Sequence, residues 1–131
     1  MYPDEYRYTR EHEWIKLESQ RATVGITHYA QEQLGDIVFV ELPKVGAHFA
    51  AMEAFGTVES VKAVSEIYCP VSGTIEEVNA SLSDNPALLN QDPHGKAWLI
   101  KIRVDDPAEL ASLMTAEQYE AFIRSSEQAE S

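Results

Sequence analysis

The sequence predicts a small all-β protein, a barrel or sandwich of short strands decorated with short helices and ending in a helical tail. Three observations carry this. Short runs of β-branched and aromatic residues are separated repeatedly by Gly, Pro or Asn. The 131 residues make one domain, with a core large enough to fold unaided. Finally, Gly35-Asp-Ile37-Val-Phe-Val40 echoes Gly73-Thr-Ile75-Glu-Glu-Val78 at an offset of 38 residues. Taken as a true repeat, the echo sets two similar halves about a pseudo-twofold axis, with Lys62 between them.

The first fourteen residues, polar with interspersed tyrosines, read as an extended arm docked on the body. Trp14, Ile15 and Leu17 lead into the polar turn Glu18-Ser-Gln-Arg21, and Ala22-Thr-Val-Gly-Ile26 returns as the second strand of a hairpin. Thr27 caps a short helix over "HYAQEQLG", where Tyr29, Ala30 and Leu34 fall at helical spacing and Gly35 closes it. "DIVFVELPKVG" is a strand broken by Pro43 and Gly46, and the sheet pattern resumes from Phe55. "SEIYCPVSGTIEEVN" holds two short strands separated by the Pro70–Gly73 turn. "NPALLN" reads as an extended or turn segment with Leu88 and Leu89 buried, and "KAWLIKIRV" as the final strand. Pro107 opens the tail, where Leu110 and Leu113 share a face and Thr115 with Gln118 forms a capping box before "AEQYEAFIRSS". The organisation is therefore a single domain over 1–131, with a lysine-bearing hairpin over about 55–75 and a helical tail over about 107–127.

Ten basic against twenty-two acidic residues give a net charge of -12. That charge opposes binding to nucleic acid or an anionic membrane, and it favours partner surfaces with positive patches. The single cysteine, Cys69, sits among strand residues and reads as a buried core thiol rather than a reactive one. No stretch approaches a membrane span, and "MYPDEYRYTREHEW" lacks the layout of a secretory signal. Cytoplasm is the expected compartment, although a processed organellar protein looks the same.

One residue stands out. In "AFGTVESVKAVSEIYCPVSGTI" a lone Lys62 interrupts a run that otherwise reads as strand. Three readings compete: a solvent-facing lysine at a hairpin tip, an imine-forming nucleophile, and a lysine that another enzyme modifies. The nucleophile needs desolvation or a neighbouring cation, and Lys62 has Glu53, Glu59 and Glu66 near it in sequence, with no second lysine or arginine between Lys44 and Lys96. A modified lysine fits better. A carrier must project one side chain beyond the body on a rigid turn, and the small or branched neighbours Val61 and Ala63 stiffen such a tip. No rival constellation exists elsewhere: His12, His28, His48 and His94 lack metal-ligand spacing, the glycines cradle no phosphate, and Ser60, Ser72, Ser81 and Ser83 stand in no nucleophile elbow.

"GTVESVKA", with Gly73 eleven residues past the lysine, resembles the lipoylation site of the glycine cleavage system H protein family. The likeness extends in order through His12-Glu13-Trp14, "VGITHYAQEQLGDIVFVELPKVG", "CPVSGTIEEVN", "NPALLN" and "WLIKI". A biotin carrier would instead show methionine on both sides of the lysine. The resemblance implies a barrel-sandwich hybrid fold and a non-catalytic carrier, a monomer with lipoate in amide linkage on Lys62. Gly56, Glu59, Ser60, Val61, Ala63 and Gly73 are then the surroundings by which the hairpin is recognised. Glu59 is either read by the lipoate-attaching enzyme or merely solubilises the hairpin.

In that family a pyridoxal-phosphate-dependent glycine decarboxylase loads an aminomethyl group onto the lipoyl arm. An aminomethyltransferase passes the one-carbon unit to tetrahydrofolate, and dihydrolipoamide dehydrogenase reoxidises the dithiol. The loaded arm folds back near the "HEW" element, which points here to Glu13, either pairing with the adduct's ammonium or standing as a plain surface carboxylate. His28 and Asp36 are weaker candidates, and Trp14, Trp98 and Tyr68 read as core or interface aromatics. Two departures from many relatives, Glu11 where serine is usual and Ala97 where glycine is usual, leave the lysine neighbourhood untouched. A carrier serving lipoate relay, and an unmodified binding module on the same fold, are the rival classes.

Overall fold

In the computed structural model residues 2–130 are described, with side chains for residues 2–126. The elements run β1 (Arg7–Tyr8), β2 (Glu13–Glu18), β3 (Arg21–Ile26), α1 (His28–Leu34), β4 (Ile37–Glu41), β5 (His48–Phe49), β6 (Ala54–Ser60), β7 (Val64–Tyr68), β8 (Gly73–Val78), α2 (Ser81–Asp84), α3 (Leu88–Gln91) and β9 (Ile100–Val104). A 3₁₀ turn at Pro107–Ser112 and the helix α4 (Ala116–Glu130) close the chain. The strands form two antiparallel sheets, a large one ordered β1-β2-β3-β9-β8-β5 and a small one ordered β4-β6-β7. No helix among the described residues is long and apolar enough to cross a membrane.

Strand periodicity explains how the sheets face each other. Ile15, Val24 and Ile26 from β2 and β3, with Ile75, Ile100 and Ile102 from β8 and β9, turn inward against Val40, Val58 and Ile67 of the small sheet. Burying each isoleucine contributes about 2 kcal/mol, so this interface sets the fold. The other face of the large sheet is covered too. Tyr8 and Trp14 meet Tyr119 of α4 there, with the Tyr8 and Tyr119 rings stacked at 4.9 Å and 12°. The N-terminal arm is thus docked as the alternation of tyrosines implied.

Local signals predicted the hairpin of β2 and β3, which pairs Glu18 with Arg21 across a two-residue turn. Thr27 Oγ1 accepts the Ala30 N–H at the start of α1, and the Gly35 N–H closes it on the Gln31 carbonyl. Thr115 and Gln118 exchange reciprocal bonds of 2.9 and 3.2 Å, the capping box of α4. The internal echo has a structural counterpart. β4 carries an extra residue between Ile37 and Phe39, and β8 carries one between Ile75 and Glu77, the same place at the same offset.

Three expectations are corrected in detail. Of the two readings of "NPALLN" the turn holds, with Asn85 and Pro86 accepting the N–H groups of Leu88 and Leu89 as α3 begins, but its burial differs. Leu89 is buried and Leu88 only half-buried. The final strand begins at Ile100 rather than Lys96, because Asp92 draws the chain into a turn by accepting from Lys96 N–H and Ala97 N–H. The tail begins as a 3₁₀ turn, with Asp106 Oδ1 accepting the Ala108 N–H.

Candidate functional site

Ser60 ends β6 and Val64 begins β7, leaving Val61, Lys62 and Ala63 as a three-residue loop at the edge of the small sheet. Lys62 is exposed, as are Val61 and Ala63. The loop is nevertheless tightly held. The Ser60 N–H donates to the Ala63 carbonyl at 2.8 Å. The nearly buried Ser60 Oγ accepts both Lys62 N–H and Ala63 N–H at 3.1 Å. Below it, Val61 N–H donates to the Asp36 carbonyl at 3.0 Å.

The 35–37 segment is itself pinned by Asn90, which no sequence pattern had singled out. Its amide donates to Gly35 O at 2.8 Å and to Gln31 Oε1 at 3.0 Å, while its Oδ1 accepts Ile37 N–H at 3.0 Å. One chain of bonds thus runs from α3 through the Gly35 turn to the lysine loop. Gly35 has φ +79, and a Cβ there would stand 3.3 Å from Lys62 Cε, so glycine serves both the turn and the lysine's path.

The remaining hairpin residues divide by place. Glu59 is exposed, paired with Phe39 on one side and Val64 on the other. Gly56 and Gly73 are not at the tip. Gly56 lies in β6, where a Cβ would stand 2.4 Å from the Glu41 carbonyl oxygen; Gly73 opens β8, where one would stand 2.7 Å from the Arg103 carbonyl oxygen. Both positions require glycine for close backbone approach.

Glu13 is not the surface carboxylate that one reading had it be. It is 0% exposed, because strand alternation puts it on the inward face with Ile15. Thr9 Oγ1–H donates to its Oε1 at 2.5 Å and the Tyr68 N–H donates to its Oε2 at 3.2 Å. Burial pushes its carboxyl up to about 7, against the opposing pull of those two bonds. The same burial logic applies to Cys69, a core thiol pushed up to about 12 whose S–H points at Val71 O.

Glu13's neighbours, not Glu13, line a cleft of about 270 Å³ between the "HEW" loop, α1 and β7. Glu11, His12 and Tyr29 stand along one side, Leu34 next to the Gly35 turn, and Ser65 and Ile67 on β7 beyond the lysine loop. His12 adopts φ +70, and its Nδ1 lies 2.8 Å from the Tyr119 hydroxyl, which lies 2.7 Å from Thr27 Oγ1. Burial lowers the His12 pKa, against a smaller raising effect of Glu11. His28 and Asp36 take other parts: the His28 N–H donates to His94 Nε2, and Asp36 supplies its carbonyl to the lysine loop. Among the described residues no cluster of three or more metal-ligating side chains occurs.

The arrangement offers an outside enzyme one exposed lysine on a braced loop, its side chain lying along the Gly35 turn, with a cleft close by. Comparison with known proteins agrees. The family model described as Glycine cleavage H-protein matches residues 6–126. A glycine cleavage system H protein of Geobacillus kaustophilus (strain HTA426) is 57% identical over 121 residues, covering 92% of this chain and 95% of its own. That of Bacillus subtilis (strain 168) is 57% identical over 122 residues, covering 93% and 96%. The crystal structure of a glycine cleavage system H protein from Mycobacterium marinum superposes with a TM-score of 0.84 at 41% identity, covering 91% of this chain and 96% of that one. The fold, the braced lysine loop and these likenesses agree: the chain belongs to the glycine cleavage H-protein family.

Proposed function

We propose that this chain is the lipoyl-bearing carrier of the glycine cleavage system, with lipoate in amide linkage on Lys62. It carries the aminomethyl group from a pyridoxal-phosphate-dependent glycine decarboxylase to the aminomethyltransferase, then presents dihydrolipoate to dihydrolipoamide dehydrogenase. It is substrate and carrier, not catalyst. The observation that carries the reading is the Lys62 loop, an exposed lysine fixed at its backbone by Ser60 and Asp36.

The residues present fit the group. Attachment joins Lys62 Nζ to an activated lipoyl carbonyl, a mixed anhydride with a nucleotide or a thioester. Once Nζ has lost one proton its lone pair forms the amide bond, the leaving phosphate or thiolate departs with its bonding electrons, and Nζ gives up a second proton. Held on Lys62, a lipoyl group would supply a reducible cyclic disulfide able to carry the aminomethyl group and to be reoxidised by the dehydrogenase. Tethering supports this chemistry by turning encounters with a free thiol into visits by a localised one.

The cleft beside the loop suits the loaded arm. Leu34 and Ile67 exclude water along its apolar part, and Glu11 supplies a carboxylate for a cationic end. Glu13 acts behind the cleft, holding β2 to β7.

The test is the intact mass of protein from its native host beside a Lys62→Arg variant. An increment of one lipoyl group, absent from the variant, is expected, together with support of glycine–bicarbonate exchange by the decarboxylase. An unmodified native protein in a cell that lipoylates other proteins would leave a binding module instead. An octanoyl-only mass would point to lipoate relay.

A further inference from the structure

Six large apolar side chains are exposed among the described residues, and four of them, Val38, Phe39, Val61 and Val64, lie on β4 and the lysine hairpin. Single exposed valines need no explanation, but an apolar group gathered on one sheet does. The register makes the face explicit. Phe39, Glu59 and Val64 are cross-strand partners in one row, and Glu41, Thr57 and Glu66 in the next. Residues two apart on a strand share a face, so these six side chains point outward together. Phe39 is 53% exposed and Val64 63%.

Charge says what can cover this face. Residues 45–95 contain one lysine and no arginine, so Lys62 is the sole lysine or arginine of the hairpin. None of the ion pairs among the described residues involves Glu41, Glu59 or Glu66. A phosphate backbone or an anionic leaflet is repelled, and a second copy would bring acid against acid. What fits is an apolar socket edged by lysine and arginine.

We propose that the outer face of the small sheet, anchored by Phe39 and Val64, is the docking surface for the enzyme that acylates Lys62, which presents such a socket. The proposal rests on the carrier reading above. An enzyme reaching Nζ must approach the loop joining β6 and β7, and the strands that emit that loop are those that display the face. Because Ser60 fixes the loop to its strands, docking on the sheet sets the position of the nitrogen.

The experiment uses the full, unlipoylated chain with a purified lipoate-attaching ligase, lipoate and ATP. Phe39→Ser, the near-isosteric Val64→Thr and their double variant are compared with Val45→Ser, an exposed apolar residue off this face. Losing anchors of this kind is expected to raise KM about tenfold in the double variant, with kcat within about twofold and Val45→Ser unchanged. Added salt should raise the wild-type KM. Circular dichroism and thermal midpoints check folding, and Val64→Thr alone keeps the test valid should Phe39→Ser unfold. Lys62 acylated with KM unchanged in the double variant overturns the docking surface and leaves the carrier reading standing. A wild-type chain that is not acylated at all overturns both. A self-association that Phe39→Ser abolishes assigns the face to a second copy and overturns the proposal.

Discussion

Glu13 Oε2 accepts the backbone N–H of Tyr68 at 3.2 Å, and through this bond β2 of the large sheet holds β7 of the small one. The carboxyl is buried, and that burial pushes its pKa up to about 7 from the ordinary 4.5. Between those values the folded chain keeps a proton that the unfolded chain has lost. Stability from this group is therefore present below about pH 4.5, falls as pH rises to about 7, and is level above.

Glu13→Gln removes that titration. The difference in unfolding free energy, variant minus wild type, should grow by about 2–3 kcal/mol between pH 5 and pH 8. Urea unfolding at the two pH values measures it. A difference that stays level would show that Glu13 titrates normally.

Ser60→Ala should free the lysine loop without unfolding the sheet. The hydroxyl accepts two loop N–H groups, and removing it costs about 1 kcal/mol. The backbone amides of Lys62 and Ala63 should then exchange with solvent at least tenfold faster, while amides in β6 and β7 change little. Exchange followed by NMR checks this. Attachment to Lys62 should slow through kcat rather than KM, since the anchors on the sheet face remain.

Gly56→Ala and Gly73→Ala separate packing from recognition. An added methyl meets the Glu41 carbonyl in one case and the Arg103 carbonyl in the other, both of them backbone. Each should lower stability by about 2 kcal/mol or more. If the two glycines act through packing alone, attachment to the folded fraction proceeds at the wild-type rate. Thermal melts beside a single-turnover attachment assay distinguish the cases.

What the sequence revealed, and what it hid, divides by range. Thr27, Gly35 and the Thr115–Gln118 box are contacts between residues three or four apart, and each was legible. The hairpin of β2 and β3 was legible for the same reason. The burial of Glu13 went unread although the clue was present: it stands two residues before Ile15, so strand parity buries it. Asn90 pins Gly35 from 55 residues away, and Tyr119 reaches His12 from 107 away. No periodicity or capping rule registers such pairs. The start of β9 was missed because the Asp92 side chain competes for the backbone of Lys96, a local bond that outweighs strand propensity.

The Tyr119 hydroxyl stands between His12 Nδ1 at 2.8 Å and Thr27 Oγ1 at 2.7 Å. It joins α4 to the "HEW" loop and to the cap of α1, the two elements that carry His12 and Tyr29 into the cleft. Tyr119→Phe keeps the ring stacked on Tyr8 but strips the buried Thr27 hydroxyl and the half-buried His12 ring of a partner. The cost should be about 1–3 kcal/mol, read by urea unfolding. His12, at φ +70, then keeps its ring contacts with Tyr29 and Phe122 but loses the hydrogen bond to its Nδ1, so the cleft should loosen beyond the loss of stability. On lipoylated protein loaded by the decarboxylase, the aminomethyl adduct should hydrolyse several-fold faster in Tyr119→Phe than in wild type. The loading rate should be unchanged if it depends on the Lys62 loop alone. Equal adduct lifetimes would show that α4 steadies the fold without guarding the arm.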